Sequence, residues 1–281
     1  MKITVWGARG SIPVSGAEYL RYGGDTTCLA IESAGGELVV LDAGTGVRRL
    51  GRRLVASGRK RCAFLLTHAH WDHLIGFPFF RPLYDPDFTV NLHGCRDAQQ
   101  SLRTILSDTM RAPFFPIDLP GIAARLHFHE NNDRTLEVAG LEIRRIPLNH
   151  PNLGCGFIIR EGRKKLVFFP DNELGDHPHA GGLAADRYAE LFRDADLLIH
   201  DAEYLPGEYH AKQMGWGHSS CLDTADLAVA ARADRLLLWH LNQDRTDAEA
   251  DALLAMTRER LAARGADMPC DVARTDLRIE I

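Results

Sequence analysis

The sequence predicts a single α/β domain, residues 1–281, in which two mixed β-sheets pack face to face with helices outside. Short apolar runs typical of buried strands alternate with longer patterns typical of amphipathic helices. The first half of the chain is rich in strands with few helices, and the second half repeats that order. No stretch has the composition of a linker, and 281 residues suffice for one domain with a large core.

Apolar or β-branched runs predict the strands of these sheets, and periodic segments predict the helices. The strand-like runs are 2–6, 27–32, 37–41, 62–67, 88–93, 141–147, 155–160, 165–169, 196–200 and 235–239. The helical patterns lie at about 46–57, 73–80, 95–108, 183–193, 219–231 and 246–264. None of these runs is as long and apolar as the roughly 20-residue segment that spans a membrane, so we expect no membrane partner.

Composition limits the class of protein and its location. Hydrophobic residues make up 45% of the chain and charged residues 25%, as in an ordinary soluble globular protein. The chain enters strand-like sequence within residues 1–6, which leaves no room for a signal peptide. The six cysteines are scattered without a CxxC pair, which is typical of a reducing compartment. We therefore expect a cytoplasmic location.

A net charge of −5 argues against broad binding of nucleic acid without excluding it. One local exception is a basic segment that comprises Arg48, Arg49, Arg52, Arg53, Arg59, Lys60 and Arg61. Arginines at this spacing most often form the solvated face of a helix, and a phosphate-rich partner is the alternative.

Residues 67–73 read Thr-His-Ala-His-Trp-Asp-His and bring four potential metal ligands into six consecutive positions. The run follows an apolar strand and precedes a helical turn. His68 and His70 can point the same way from an extended backbone, while Asp72 and His73 turn into the helix and face a neighbouring point. Crowded imidazoles and a carboxylate are costly to bury without a cation, so this one loop can serve two adjacent metals.

Three further residues of ligand type stand at the ends of predicted strands. His150, Asp171 and His240 each follow an apolar run. A rigid scaffold presents a functional site in this way, on the loops where its strands end.

The order HxHxDH, then a histidine, an aspartate and a last histidine, resembles the metallo-β-lactamase superfamily over nearly the whole chain. The resemblance implies an αββα sandwich and two divalent metal ions, with zinc preferred and Mn²⁺ or Fe²⁺ able to occupy the same geometry. It also implies the ligand sets: His68, His70 and His150 for one metal, Asp72, His73 and His240 for the other, and Asp171 as a bridge between both.

Shorter segments resemble the phosphodiesterase and tRNase Z branch of that superfamily. Residues 198–204 are similar to the His-Glu-Ala-Thr segment of tRNase Z, with Asp201 in place of the glutamate. Residues 217–220 are similar to its Gly-His-Ser-Ser segment. The stretches 6–13 and 21–28 resemble the cyclic-nucleotide and phosphonate-pathway phosphodiesterases.

The same resemblance assigns roles around the ligands. It implies that His218 is the proton donor, that Asp201 orients it, and that Asp72 belongs to the catalytic residues as well as to the ligands. Asp42, in an early Asp-x-Gly turn, is expected to support the ligand loop. The alternative for His218 is a cap on a helix that begins at Ser219.

We expect a binuclear hydrolase that acts on a small-molecule phosphodiester, such as a cyclic nucleotide. Two dications about 3.5–4 Å apart can hold a bridging hydroxide as nucleophile, and His218 can act as general acid near neutral pH. One alternative is a tRNase Z-type tRNA 3′-end endonuclease, although the chain has no long Gly/Pro-rich arm. Others are a glyoxalase II- or lactonase-type hydrolase and a non-catalytic metal-binding domain. A homodimer is expected by analogy only.

The remaining expectations concern single loops and side chains. Arg9 or Arg21 can contact a phosphate, with an ordinary surface arginine as the alternative. Four aromatic residues can stack on a base or belong to the core: Phe114, Phe115, Tyr204 and Trp216. The proline-rich loop 109–122 is expected to be a lid or a cap on the core, with the lid favoured. His177 and His179 are expected to be loop residues and not ligands.

Overall fold

The computed structural model describes residues 1–94, 101–130, 133–175, 179, 181–209 and 213–281. Its strands are β1 Lys2–Gly7, β2 Cys28–Glu32, β3 Leu38–Leu41, β4 Arg61–Leu65, β5 Thr89–His93, β6 Arg125–His129, β7 Thr135–Val138, β8 Leu141–Pro147, β9 Cys155–Glu161, β10 Lys164–Phe169, β11 Leu197–Asp201, β12 Leu236–Trp239, β13 Cys270–Val272 and β14 Arg278–Glu280. Its helices are α1 Val47–Ser57, α2 Trp71–Leu74, α3 Leu102–Thr109, α4 Ala185–Phe192, α5 Pro206–Glu208, α6 Cys221–Ala230 and α7 Asp247–Ala263. Among these described helices, none combines the length and apolar content that crossing a bilayer requires.

The strands form two seven-stranded sheets, in the orders β14-β1-β2-β3-β4-β5-β6 and β13-β12-β11-β10-β9-β8-β7. Each sheet is antiparallel at one side and parallel at the other. The parallel parts are β3 to β6 in the first sheet and β10 to β13 in the second. The two mixed sheets confirm the predicted fold class, and their shared pattern explains why the two halves of the sequence read alike.

Successive side chains of each strand point to opposite faces of its sheet. They form one core between the sheets and two cores outside them. On β4, Leu65 points into the inner core while Phe64 points outward. Helices α1 and α3 cover the outer face of the first sheet, and α4, α6 and α7 cover that of the second. The helices therefore lie outside, as predicted.

Parallel strands end at the same edge of a sheet, and loops at that edge form the usual ligand site of such folds. Strands β3, β4, β10, β11 and β12 all end there. Strand β8 ends at the same edge as β10, because β9 lies between them and is antiparallel to both. A backbone hydrogen bond of 3.0 Å from Cys155 to Thr67 joins the second sheet to the loop after β4.

The structure corrects several predicted elements. The predicted helix 73–80 is wrong in extent, because α2 ends at Leu74 and a separate 3₁₀ turn covers Phe77–Phe79. The chain turns at Gly76, where a Cβ would lie 2.0 Å from the carbonyl oxygen of Gly44. Part of the predicted helix 95–108 lies outside the described residues, and α3 covers the rest.

Four strands were not predicted, namely β6, β7, β13 and β14. Each has only three to five residues, and none buries all of its side chains. They lie at or near the sheet margins, where a strand has no need for a continuous apolar run.

The loop 109–122 caps the core for much of its length. Met110 and Leu119 are 0% and 7% exposed and belong to the outer core of the first sheet. The ring of Phe115 packs edge-on against Phe79 at 5.6 Å, whereas Phe114 is exposed. These buried residues therefore form a cap on the core, and not the lid that the sequence analysis favoured.

The basic segment at and after α1 is largely engaged in ion pairs. Four of its cations have acidic partners, in the pairs Arg49–Asp276, Arg59–Glu32, Lys60–Asp85 and Arg61–Glu37. These contacts favour the solvated helix face over a phosphate-binding surface.

Replacement of Phe64 by alanine tests the packing under the ligand loop. Phe64 is fully buried, and its ring packs edge-on against Phe77 and Phe80 at 6.1 and 5.2 Å. The cavity left by the ring should lower the free energy of unfolding by about 3–5 kcal/mol, as measured by urea denaturation. Phe114→Ala removes a ring that is 76% exposed and should change it by less than about 0.5 kcal/mol. Equal effects of the two replacements would contradict this account of the core.

Candidate metal centre

Asp42 organises the loop that carries the HxHxDH run. It follows β3, and its side chain is fully buried. Its Oδ1 accepts a hydrogen bond of 2.8 Å from the backbone N–H of Thr67, and its Oδ2 lies 2.7 Å from Nδ1 of His73. Because the carboxylate engages Nδ1, Nε2 of His73 faces away from it, towards the other ligand-type residues.

The first group of ligand-type side chains contains His68, His70, His150 and Asp171. Their donor atoms all lie within 4.8 Å of one another. His150 comes from the second sheet: its Nδ1 lies 2.9 Å from the carbonyl oxygen of Gly217, and its Nε2 lies 3.0 Å from Nδ1 of His70. Donation of the Nδ1 proton to Gly217 leaves the Nε2 lone pair facing the group.

The second group contains Asp72, His73, Asp171 and His240, again with donor atoms within 4.8 Å of one another. Oδ2 of Asp72 lies 3.3 Å from Nε2 of His73 and 3.3 Å from Nε2 of His240. Asp171 belongs to both groups, since its Oδ2 lies 3.2 Å from Nε2 of His240 and 3.6 Å from Nε2 of His68. All seven sequence-predicted ligands thus meet at one edge of the fold, and their role as ligands stays a prediction.

The donor set suits divalent cations. Imidazole nitrogens and carboxylate oxygens are ligands that Zn²⁺ accepts. Burial acts to raise the pKa of Asp171, but the surrounding His240, His73 and His68 hold it well below its usual range. Nε2 of His68, Nε2 of His73 and Oδ1 of Asp171 are buried and make no hydrogen bond of regular geometry to any described residue, although the last two atoms lie 3.1 Å apart. Buried polar atoms without partners are costly, and a cation among them would satisfy all three.

His218 stands beside the second group and is held by Asp201 at the end of β11. Oδ2 of the fully buried Asp201 lies 2.6 Å from Nδ1 of His218. Its Oδ1 accepts hydrogen bonds from the backbone N–H groups of Glu203 and Ser219 at 3.0 and 3.3 Å. Burial acts to lower the pKa of His218, but the carboxylates of Glu203 and Asp201 raise it to about 9.

The helix-cap alternative for His218 is wrong. Helix α6 begins at Cys221, and the side chain of Ser220 provides the N-cap by accepting a hydrogen bond from the backbone N–H of Asp223. The side chain of His218 is instead held by the carboxylate of Asp201.

Glu203 is a buried carboxylate that the sequence analysis did not single out. Its Oε1 accepts a hydrogen bond of 2.7 Å from Asn242, and its Oε2 lies 3.0 Å from Nδ1 of His240 and 3.4 Å from Nδ1 of His218. The motif that residues 198–204 resemble, His-Glu-Ala-Thr, has a threonine at the position of Glu203, and it therefore gives no reason to expect an acid there. A second acid just after a buried strand was the available signal.

Glu173 is a second buried acid that the sequence analysis missed. Its carboxylate accepts hydrogen bonds from the Tyr209 hydroxyl and from the backbone N–H groups of Gly215 and Gly217, each at 2.8 Å. Glu173 thereby fixes the backbone at Gly217, and the carbonyl oxygen of Gly217 in turn orients His150. No motif around Glu173 signals this role.

The expected phosphate contact of Arg9 is wrong. Arg9 is 1% exposed, and its Nη1 donates hydrogen bonds to the carbonyl oxygens of Asn242 and Arg245 at 3.0 and 2.8 Å. The guanidinium therefore joins the N-terminal loop to the loop after β12. Arg21 is paired with Asp251 at 2.5 Å.

An open cavity of about 640 Å³ adjoins His218. Tyr204, Trp216 and Asn242 contribute to its wall. Trp216 is 60% exposed, whereas Tyr204 is buried and packs edge-on against His218 at 6.1 Å. The volume is in the range that accommodates small organic ligands.

His179 stands apart from the grouped donors. Nε2 of His179 lies 3.4 Å from Oε2 of Glu173 and belongs to neither ligand group. His177 lies outside the described residues.

Comparison with known proteins identifies the family. Residues 38–241 match the family model described as a beta-lactamase superfamily domain. A curated relative, Ribonuclease Z of Haloarcula marismortui, is 22% identical over an alignment that covers 92% of this chain and 91% of the relative. Ribonuclease Z of Natronomonas pharaonis is 23% identical, with coverages of 86% and 87%.

Solved structures share the fold at low sequence identity. The metallo-β-lactamase fold protein YhfI of Bacillus subtilis has a TM-score of 0.72 and 18% identity, with 100% of this chain and 99% of that chain covered. The short form of human tRNase Z has a TM-score of 0.66 and 20% identity, with coverages of 100% and 99%. A diphosphatase from the PhnP family has a TM-score of 0.66 and 19% identity, with coverages of 100% and 97%. The family model covers well over half of the chain, and the chain therefore belongs to the beta-lactamase superfamily, as a hydrolase of the metallo-β-lactamase fold.

Proposed function

We propose that this chain is a binuclear metal-dependent phosphodiesterase that hydrolyses small or cyclic phosphodiesters such as cyclic nucleotides. The observation that carries the proposal is the His218–Asp201 pair beside two groups of ligand-type side chains. A phosphodiester with an alkyl leaving group requires a proton donor for the departing alkoxide. The thiolate released from a thioester is a much weaker base, so a thioester hydrolase has less need of this pair.

In this proposal each group would hold one divalent ion, and Asp171, which belongs to both groups, would serve both ions. The ligand sets are His68, His70 and His150 for one ion and Asp72, His73 and His240 for the other. Zinc suits these donors, and Mn²⁺ or Fe²⁺ are the alternatives. Such ions supply electrostatic stabilisation of the phosphoryl oxygens and a nucleophile derived from water.

The protein groups then handle the proton of the leaving group. Asp201 accepts the Nδ1 proton of His218, which leaves the Nε2–H of the imidazolium free to be donated to the departing oxygen. The cavity beside His218 receives the leaving group, and Asp201 keeps the ring from turning.

The curated relatives named Ribonuclease Z favour a second candidate, cleavage of an RNA phosphodiester. A match that covers 92% of this chain and 91% of one such relative weakens the expectation that nucleic acid is an unlikely partner. The ion pairs of the basic segment count against an RNA surface there. A homodimer stays a prediction.

One panel of substrates separates these functions. The metal-loaded protein is assayed with bis(p-nitrophenyl) phosphate, 2′,3′- and 3′,5′-cyclic nucleotides, a precursor tRNA and S-lactoylglutathione. We expect turnover of the small diesters and none of the thioester. Cleavage of the tRNA in preference to the small diesters would instead establish the second candidate, and thioester hydrolysis alone would refute both.

Asp171→Ala tests the shared ligand. Because the carboxylate contacts both groups, its removal should abolish stable binding of both ions, measured as metal per chain by inductively coupled plasma mass spectrometry after gel filtration. The control Asp186→Ala removes an exposed carboxylate on α4 and should retain two ions per chain. Two ions retained by Asp171→Ala would refute the bridging role.

His218→Ala tests the proton donor. Loss of the donor should slow hydrolysis of alkyl phosphodiesters by about 10²–10⁴-fold. Bis(p-nitrophenyl) phosphate should suffer far less, because p-nitrophenolate leaves without a proton. His127→Ala, at an exposed imidazole on β6, is the matched control and should leave both rates unchanged. Equal losses on both substrates for His218→Ala would show that His218 is structural.

A further inference from the structure

The ring of His240 is held in place by a strained backbone and by close packing. Its φ of +57° lies in the left-handed region, which costs a residue other than glycine of order 1–2 kcal/mol. The ring packs over Gly10, where a Cβ would lie 2.2 Å from ring atom Cε1. It also stacks on His218 with 4.4 Å between ring centroids. These contacts fix where the ring lies.

Packing does not decide which ring nitrogen carries the proton. Nε2 of His240 faces the carboxylates of Asp72 and Asp171 at 3.3 and 3.2 Å, while Nδ1 faces Oε2 of Glu203 at 3.0 Å. A ligand nitrogen must present a lone pair, so the proton has to lie on Nδ1. A ring that carries its proton on Nε2 would turn an N–H group towards the ion.

Glu203 is placed to settle that choice. It is 3% exposed, and its other oxygen, Oε1, accepts the amide proton of Asn242 at 2.7 Å. Oε2 of Glu203 and Nδ1 of His240 lie 3.0 Å apart, and neither atom makes a hydrogen bond of regular geometry to a described residue. His218 already has a nearer carboxylate, Asp201 at 2.6 Å, and the imidazole nearest to Oε2 of Glu203 is that of His240, at 3.0 Å against 3.4 Å for His218.

We propose that Glu203 is a positioning residue whose Oε2 accepts the Nδ1 proton of His240 and thereby presents Nε2 of His240 as a ligand for the second ion. The inference rests on the ligand sets of the proposed function. It adds a residue outside those sets that controls the affinity of one ion and not of the other. Among the described residues, no hydrogen bond or ion pair joins this carboxylate to His68, His70 or His150; its contacts are with His218, His240 and Asn242.

The test compares metal affinity in Glu203→Leu, Glu203→Gln and the wild-type protein. Affinities are measured by titration of the metal-free proteins with Zn²⁺ against a chromophoric chelator, and ¹¹³Cd NMR of the Cd²⁺-loaded proteins reports each site separately. Loss of an outer hydrogen-bond partner typically weakens metal binding about 10–100-fold. We expect Glu203→Leu to weaken one ion by that factor and to shift one cadmium resonance. Glu203→Gln keeps an oxygen that can accept the ring proton and should have a smaller effect.

The control is Glu161→Leu, at the end of β9 on the opposite edge of the second sheet. The carboxylate of Glu161 is also partly buried, and it lies 3.0 Å from the N-terminal amine. Glu161→Leu therefore also removes an ion-paired carboxylate, but away from the ligand groups. Both ions should bind to this variant as in the wild-type protein. If Glu203→Leu does not fold, by circular dichroism, Asn242→Ala takes its place, because it releases the other oxygen of Glu203 and should weaken the same ion.

Unchanged affinities for both ions, or equal weakening of both, would overturn the proposal. These measurements need no substrate. If the chain does not hydrolyse diesters but Glu203→Leu weakens the binding of one ion as expected, the proposed function alone is contradicted. Normal diester turnover with unchanged affinities contradicts the role of Glu203 alone. A wild-type chain that binds fewer than two ions contradicts the ligand sets themselves.

Discussion

Four buried imidazoles surround the single carboxylate of Asp171, and the rest of the structure serves to make that crowding tolerable. Taking such groups out of water is costly unless each polar atom has a partner. In three of the imidazoles, the ring nitrogen that faces away from Asp171 lies against a hydrogen-bond acceptor. The other nitrogen of each ring can therefore point towards the metal centre. The three acceptors are Asp42 behind His73, the Gly217 carbonyl behind His150, and Glu203 behind His240.

The topology explains how residues so distant in sequence reach one point. Both sheets direct the carboxyl ends of their parallel strands to the same edge, and nearly every ligand-type residue follows such an end. The inner core needs only apolar side chains of about the right size in alternation, and many sequences satisfy that requirement. This accounts for a shared fold with YhfI at 18% identity. Substrate choice depends instead on the loops around the cavity, which vary more freely.

Much of this arrangement could be predicted because its signals are local. The HxHxDH run and the polar residues after apolar strands are visible in the sequence, and apolar runs marked the central strands. The burial of Arg9 was not visible, because two of the carbonyl oxygens that hold it, those of Asn242 and Arg245, belong to residues more than 200 positions away. Glu203 escaped notice for the same reason, since its partner His240 comes from another strand. Strands β6 and β7 are partly exposed and carry no continuous apolar run.

The division of ligand-type residues between two layers has a consequence for folding. His68 and His73 follow a strand of the first sheet, while His150, Asp171 and His240 follow strands of the second. A cation shared among them acts as a reversible cross-link that only the assembled sandwich can form. Through thermodynamic linkage, a free ion at a hundred times its dissociation constant adds about 2.7 kcal/mol to the stability of the folded chain. If the predicted ions bind, the supply of metal also changes the fraction of the chain that is folded, apart from any role in turnover.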